Sequence, residues 1–312
     1  MSGTLKHIMA WPLLLAILGS SLVACGPAEE AKDFPLEITD QLDRTVRLEK
    51  IPERIISLAS SNTEILFALG LGDRVVGVTK YCDFPPEARQ KEQIGGFSTP
   101  DIEKVVSLSP DLIVAASIHQ KKIIPELERR NLPVIALAPK TLSDVLEAIT
   151  LMGRISGRVD EAKRLVEDMQ GRIDRVTSLT EGLSSQDRPR VFYISWHDPL
   201  RTVGGDKLHN ELIRVAGGEN IFGDVTGYPT VDLEIVLERD PQVIVASSGH
   251  GSAGRSPFQW AISEPRLKGT EALKLGRVYE VDADIVSRPG PRIVQGLEAM
   301  LQFIHPELHK KL

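Results

Sequence analysis

Apolar residues along the chain fall into two alternating rhythms. Short β-branched runs occur at Arg54–Ala59, Arg74–Thr79, Asp111–Ala116 and Pro133–Ala138, and again at Arg190–Ser195, Gln242–Ser247 and Val278–Ala283. Stretches of helical spacing separate the members of the first set. Continuous apolar strands alternating with helices predict an α/β fold with parallel sheets covered on both faces. Between the two sets, Thr141 to about Leu183 is helical in pattern throughout, with apolar positions such as Leu142, Val145, Ile149, Met152, Leu165, Met169, Ile173 and Val176. Ser156-Gly157 interrupts this pattern, so two helices are expected, the second from about Asp160 to Leu179 and near 30 Å long at 1.5 Å per residue. Such a helix can run across two lobes; two covering helices inside one large domain are the alternative. The division is then an N-terminal lobe at 36–140, a helical connection at 141–183 and a C-terminal lobe at 184–312.

The two halves carry a repeat. Gly96-Phe97-Ser98-Thr99-Pro100-Asp101-Ile102-Glu103 aligns with Gly227-Tyr228-Pro229-Thr230-Val231-Asp232-Leu233-Glu234 at an offset of 131 residues, and the alignment runs on without a gap into SLSPDLIVAAS and ERDPQVIVASS. In both copies an aromatic loop leads to a Thr placed as helix N-cap. Acids then complement the first turn, and a buried strand follows. Pro100 is expected at the first helical position, where its missing N–H costs nothing. The ordinary grammar of αβ units accounts for helix, proline and strand, but not for a Gly-aromatic, a Thr and a paired Asp-x-Glu at constant spacing. A duplication therefore predicts two related lobes facing each other across a cleft, a natural ligand site.

The N-terminus has a different character. Lys6 precedes an apolar run from Ile8 to Leu18, and Leu22-Val23-Ala24-Cys25 follows. The run is short for a bilayer core of about 30 Å, which favours an export signal over a transmembrane helix. A Cys after small or aliphatic residues resembles a bacterial lipobox, which makes residues 1–24 a lipoprotein signal peptide and Cys25 the lipidated first residue of the mature chain; a plain secretory signal with a chance Cys is the alternative. Cleavage there removes Lys6 and no acid, taking the net charge from −6 to −7. Residues 25–35, CGPAEEAKDFP, read as a polar tether. Cys82 is the one other cysteine, so no disulfide within the mature chain is expected once Cys25 is lipidated.

Composition narrows the partners. With 42% hydrophobic and 26% charged residues, the chain is neither disordered nor a disulfide scaffold. Its 37 Lys and Arg against 43 Asp and Glu argue against nucleic acid, which needs a basic footprint. Ligands of parallel αβ sheets sit beyond the carboxyl ends of the strands. Tyr81, Trp196 with His197, Ser248 with His250, and Asp284 with Arg288 follow those ends, and Phe97 and Tyr228 open the repeated motif. Flat rings with a few polar handles suit a large ring-bearing ligand that one or two charges orient.

These residues carry a family resemblance. The run RIISLASSNTEILFALGLGDRVVGVTKYCDFPPEARQKEQIGGFSTPDIEKVVSLSPDLIVAAS, with VAGGENIF, YPTVDLEIVLERDPQVIVAS and SRPGPRIV in the second half, resembles the solute-binding proteins of ABC importers for cobalamin, haem and ferric siderophores. The resemblance covers roughly residues 36–305. It implies two Rossmann-like lobes joined by a long rigid helix, no catalysis, no cofactor, and a monomer outside the cytoplasm. Tyr81, Phe97, Trp196, Tyr228, Asp284 and Arg288 are placed as in the cobalamin binders. The resemblance therefore implies a corrinoid ligand first, a ferric siderophore second and haem third. Phe97 stands where cobalamin binders tend to have Trp, and it has no oxygen to offer iron. Glu103 and Glu234 correspond to the acids with which this family docks, one per lobe, on the permease dimer; the alternative for both is simple stabilisation of a helix N-terminus.

Two other classes stay open. Gly249-His250-Gly251-Ser252-Ala253-Gly254 fits a dinucleotide fingerprint after a strand, but the following RSPFQW holds out no sustained helix, and Asp282 and Asp284 come later than the fingerprint expects. His119, His197, His250 and Asp284 all follow strands and form a candidate set for a bare metal ion. A related expectation is that His197 or His250 reaches the axial face of a corrinoid cobalt.

Overall fold

In a computed structural model, residues 34–248 and 255–312 are described. The export signal, Cys25, most of the tether, His250 and the glycine-rich run at 249–254 lie outside the described residues. From Phe34 to Leu312 the chain is one compact unit containing two parallel sheets. The first half opens with an antiparallel hairpin, β1 (Leu36–Thr39) and β2 (Thr45–Leu48). Then come β3 (Ile55–Ser57), β4 (Val75–Val78), β5 (Glu92–Gln93), β6 (Leu112–Ala116) and β7 (Val134–Leu137), with helices α1 (Ser60–Ala68), α2 (Ile102–Ser107) and α3 (Ile123–Glu128). The sheet order is β5-β4-β3-β6-β7, all parallel.

Next come α4 (Leu142–Ser156) and α5 (Val159–Thr180). Thr141 caps α4 through a capping box with Asp144, and Gly157 ends it at φ +72°, the left-handed conformation that makes glycine the residue of choice there. The expected break at Ser156-Gly157 thus has its physical cause. At 22 residues α5 is about 33 Å long. It packs along α4, where Ala162 abuts Gly153, and the Arg172 guanidinium forks onto Glu298 in the C-terminal half at 2.6 and 2.8 Å.

The second half contains β8 (Arg190–Ile194), a short hairpin of β9 (Trp196–His197) and β10 (Leu200–Arg201), then β11 (Glu219–Asn220), β12 (Val243–Ser247) and β13 (Val278–Val281). Its helices are α6 (Leu208–Val215), α7 (Leu233–Arg239), α8 (Pro257–Ser263), α9 (Glu271–Lys274), α10 (Ala283–Ser287), α11 (Ile293–Ile304) and α12 (Pro306–His309). The sheet order is β11-β8-β12-β13, parallel throughout. With the two-residue edge strand β5 set aside, both sheets follow the order 2-1-3-4, as β4-β3-β6-β7 and β11-β8-β12-β13. The 131-residue offset superposes β6 on β12, and it also superposes the first residues of α2 and α7.

Alternation along the central strands sorts the core. Ile55, Leu112 and Val114 from the first sheet and Val191, Tyr193, Val243 and Val245 from the second belong to one continuous core that also takes in α4, α5 and α11. Their strand neighbours Ile56, Ile113 and Ala115 face a separate cluster under α2 and α3, and Phe192, Ile194, Ile244 and Ala246 face a third. Both faces of each sheet are therefore buried, as parallel sheets require.

The start of α2 and α7 differs from expectation. The N-caps are Asp101 and Asp232 rather than Thr99 and Thr230, and Pro100 lies outside the helix. The Asp101 carboxylate accepts the Lys104 N–H at 3.1 Å. Thr99 instead closes a tight turn by accepting the Gly96 N–H at 3.1 Å through its carbonyl. A carboxylate two residues nearer the helix can reach the free N–H groups that Thr99, spent in the turn, cannot.

Candidate functional site

The carboxyl ends of the two sheets meet along a seam of charge. After β4 the chain runs through Lys80, Tyr81 and Cys82 to Asp83; after β13 it runs through Asp282 and Asp284 to Ser287, Arg288 and Arg292. Arg288 donates to Asp83 at 2.7 Å and lies 2.7 Å from Asp284 and 3.5 Å from Glu64. Arg292 forks onto Glu64 at 2.6 and 3.0 Å and stacks over Phe84 at 4.0 Å. Glu64 comes from α1 and is 2% exposed, a buried carboxylate held by two arginines of the other half. Gly290 is backed against Ser61 and Glu64, and a Cβ there would sit 3.3 Å from the Ser61 carbonyl oxygen. Burial pushes the Asp83 carboxyl up, but the Arg288 hydrogen bond and charge outweigh it and hold it below the usual range. Asp284 and Arg288 are thus bound into the floor between the sheets, where the Arg288 guanidinium is shared among Asp83, Asp284 and Glu64. Sequence reasoning missed Glu64, Asp83 and Arg292; a lone acid in the apolar run of α1 was the available signal for Glu64.

Rings flank this floor from both halves. On the first side, Tyr81 is 51% exposed, and its carbonyl accepts the Ser60 hydroxyl at 2.7 Å. Next to it the Lys80 N–H donates to Gly95 O at 2.9 Å, joining the Tyr81 loop to the turn that carries Phe97. Gly95 opens that turn at φ +99°, where a Cβ would press on the Asp101 backbone nitrogen at 2.9 Å. His119 clamps the turn from below. Its Nδ1 accepts the Ala116 N–H at 2.9 Å, so Nε2 carries the proton and donates to Phe97 O at 2.6 Å. Burial pushes the His119 pKa down, in keeping with the neutral ring that these two hydrogen bonds call for. Both nitrogens are used, which removes His119 from the candidate metal set; among the described residues no group of three or more His, Cys, Asp or Glu could hold a metal ion.

On the second side, Trp196 and Tyr228 belong to one three-stranded patch. β9 pairs with β10 with Arg201 opposite Trp196, and Thr230 bridges Arg201 from the Tyr228 loop. Thr202 N–H to Pro229 O at 3.1 Å and Gly204 N–H to Gly227 O at 2.9 Å continue the ladder. A side chain on Gly204 would strike the Val225 backbone, so only glycine allows the two segments this close. Side chains alternate across such a patch. Trp196, Arg201, Thr230 and Tyr228 share one face, whereas His197, Leu200 and Val231 share the other, where all three line a cavity of about 520 Å³. Their backbone positions alternate, yet the Trp196 and His197 rings stay close, with centroids 5.2 Å apart and planes tilted by 41°. The Tyr228 ring, 53% exposed, meets His209 edge-on at 6.2 Å, and His209 Nε2 lies 3.1 Å from the Ser287 hydroxyl, beside Arg288. Tyr81 and Tyr228 thus rise from opposite sides of the same floor.

Two cavities lie elsewhere. One of about 870 Å³ runs along β11, with Arg188, Arg190, Arg214 and Arg239 in its wall. Arg190 and Arg239 are engaged by carboxylates and Arg188 by carbonyls, and no aromatic ring lines it, so it does not suit a flat apolar ligand. The other is the His197 cavity, which also contains Glu234, Trp260 and Arg266. Glu103 and Glu234 occupy the second positions of α2 and α7, both exposed; Arg130 Nη2 lies 2.9 Å from Glu103 Oε1.

Comparison with known proteins places this architecture. The family model described as periplasmic binding protein matches residues 55–285. An uncharacterized ABC transporter substrate-binding lipoprotein of Bacillus subtilis, YvrC, is 32% identical over an alignment covering 98% of this chain and 99% of that one. The crystal structure of the periplasmic vitamin B12 binding protein BtuF of Vibrio cholerae has a TM-score of 0.70 at 30% identity, covering 84% of this chain and 99% of that one. A possible iron-binding periplasmic solute-binding protein of Staphylococcus epidermidis also has a TM-score of 0.70, at 27% identity, covering 82% of this chain and 100% of that one. Two parallel sheets of matching strand order, a long helix between them and a family match over most of the length together mean that the chain belongs to the periplasmic binding protein family and is an ABC transporter substrate-binding protein.

Proposed function

We propose that this protein is a non-catalytic receptor that captures a corrinoid, cobalamin or a close relative, between its two sheets and delivers it to an ABC permease. Supporting this reading above all is the pair of half-exposed tyrosines, Tyr81 and Tyr228, rising with Phe97 and Trp196 from the two sides of one ionic floor. A wide macrocycle can lie between such rings and exchange water for apolar faces at both sides at once. The vitamin B12 binding protein of Vibrio cholerae, at 30% identity, agrees in ligand class. Cys25 is the proposed lipid anchor, which holds a monomeric receptor at the outer face of a membrane; the B. subtilis relative is named a lipoprotein. Among the described residues no helix is long and apolar enough to cross a membrane. Glu103 and Glu234 are the proposed permease-docking acids.

A ferric siderophore is the second reading, supported by the likeness to the possible iron-binding protein of S. epidermidis. Haem ranks third, because Phe97 has no oxygen to ligate iron. Calorimetric titration of the full chain in detergent with cyanocobalamin, a ferric siderophore and haemin separates the three. Saturation by cyanocobalamin is expected; saturation by the siderophore alone overturns the corrinoid reading, and measured turnover of any bound compound overturns the receptor reading.

A further inference from the structure

The cations around the floor are not equivalent. Arg288 and Arg292 are consumed by Glu64, Asp83 and Asp284. Lys207 lies over the Tyr228 ring at 5.3 Å, but it is neutralised by Asp206 at 3.0 Å. Asp206 also accepts the Gly227 N–H at 2.6 Å, so Lys207 and Asp206 together brace the Tyr228 loop. Two other cations differ from these. Lys80 lies over the Tyr81 ring at 5.0 Å, is exposed, and has no carboxylate within 4.0 Å among the described residues. Arg201 is exposed, stands directly opposite Trp196 in the β9–β10 pair, and likewise has no such carboxylate among the described residues. Each half therefore sets one uncompensated positive charge beside one ring of the proposed ligand surface. Lys80 is held against the Tyr81 face while keeping its charge for a further partner, and Arg201 is placed beside Trp196 by the strand register.

We propose that Lys80 and Arg201 form a pair of charge-reading contacts that select ring-bearing ligands with anionic groups at their edge, phosphate or carboxylate, over neutral counterparts of the same ring. The inference rests on the ring-bearing-ligand reading above and adds its charge. The floor's arginines are already taken up by Glu64, Asp83 and Asp284, so an anionic edge meets its free cations at the rim where Lys80 and Arg201 stand. Lys207, already paired, contributes to the shape of the Tyr228 loop and not to charge selection.

The test uses the full chain in detergent and compares cyanocobalamin, which carries a phosphodiester, with dicyanocobinamide, which lacks it. Lys80→Gln and Arg201→Gln are each expected to weaken cyanocobalamin binding about threefold to fivefold and to leave cobinamide within about twofold, since exposed ion pairs are of that strength. Raising salt should narrow the gap between probes in wild type and not in the double variant. Lys207→Gln is expected to weaken both probes alike. Unchanged cyanocobalamin affinity in both variants, or equal losses for the two probes, overturns the proposal while the corrinoid reading stands. If wild type takes neither corrinoid, the corrinoid reading falls, and the comparison moves to haemin and its dimethyl ester. Selective loss of haemin binding in the variants then supports the two cations, and its absence overturns them. Wild type that binds none of the four probes overturns both readings.

Discussion

His119 illustrates how a single side chain sets the geometry of a loop. Its two nitrogens bind the Ala116 N–H and the Phe97 carbonyl, and its ring meets the Phe97 ring edge-on at 5.4 Å. Replacing it with Leu leaves the Ala116 N–H and the Phe97 carbonyl unpaired in a buried place, an expected loss of about 1–3 kcal/mol in urea unfolding. Burial lowers the folded pKa below the ordinary value of 6.5, so the unfolded chain binds the proton first as pH falls. The His119 contribution is thus complete above about pH 6.5 and declines as pH drops from there toward the folded pKa. His119→Leu should remove that part of the pH dependence; an unchanged slope below pH 6.5 in the variant would rule it out. From the sequence, His119 was only a histidine following a strand. Its partners are a backbone carbonyl 22 residues away and an N–H on its own turn, and backbone partners leave no mark in residue identity.

Between elements, the strand–helix alternation was legible in the residues because burial on both faces of a parallel strand demands a continuous apolar run. All seven expected strands fall within their expected spans, and both connecting helices break at Ser156-Gly157. What escaped was pairing that depends on little apolar burial. The β1–β2 hairpin and the two-residue strands β5, β9, β10 and β11 are too short, or too polar, to show a period. The seam joining α1 to the segment between α10 and α11 escaped for another reason: its charged partners stand about 200 residues apart or more. Glu64 is the centre of that seam. Glu64→Ala leaves Arg288 and Arg292 largely buried without their shared carboxylate, and removal of one partner from a buried ionic group costs about 3–5 kcal/mol. Unfolding of this variant by urea should show a loss of that order, whereas a variant as stable as wild type would mean the arginines find water instead. Glu64→Asp, which keeps the charge at shorter reach, should recover part of it.

For the whole molecule, the duplication and the long α5 determine what the receptor can present to a partner. The 131-residue offset puts Glu103 and Glu234 at the same position of equivalent helices, the placement the proposed docking on two symmetric permease subunits would use. Glu103→Ala combined with Glu234→Ala is expected to abolish uptake in cells while ligand affinity stays within about twofold, because exposed charges govern encounter and register more than folding. Lost ligand affinity in the purified double variant, or uptake at the wild-type rate, would remove these acids from the docking role. The two sheets are tied twice, by α5 along one side and by the Glu64–Arg292 seam at the floor, and this double attachment favours a small change of cleft width on ligand capture.

The residues by themselves determined the α/β class, the strands, the broken helical connection, the repeat and the rings at strand ends, because each follows from local periodicity or from a motif copied at constant spacing. The tertiary structure alone decided which charges remain available. It engaged Arg288 in the floor, moved the helix caps to Asp101 and Asp232, and left Lys80 and Arg201 without a carboxylate within 4.0 Å among the described residues. The physical reason is that apolar burial is written in the pattern of one segment. The fate of a charge depends on which opposite charge the fold brings within a few ångströms, and that partner can lie anywhere in the chain.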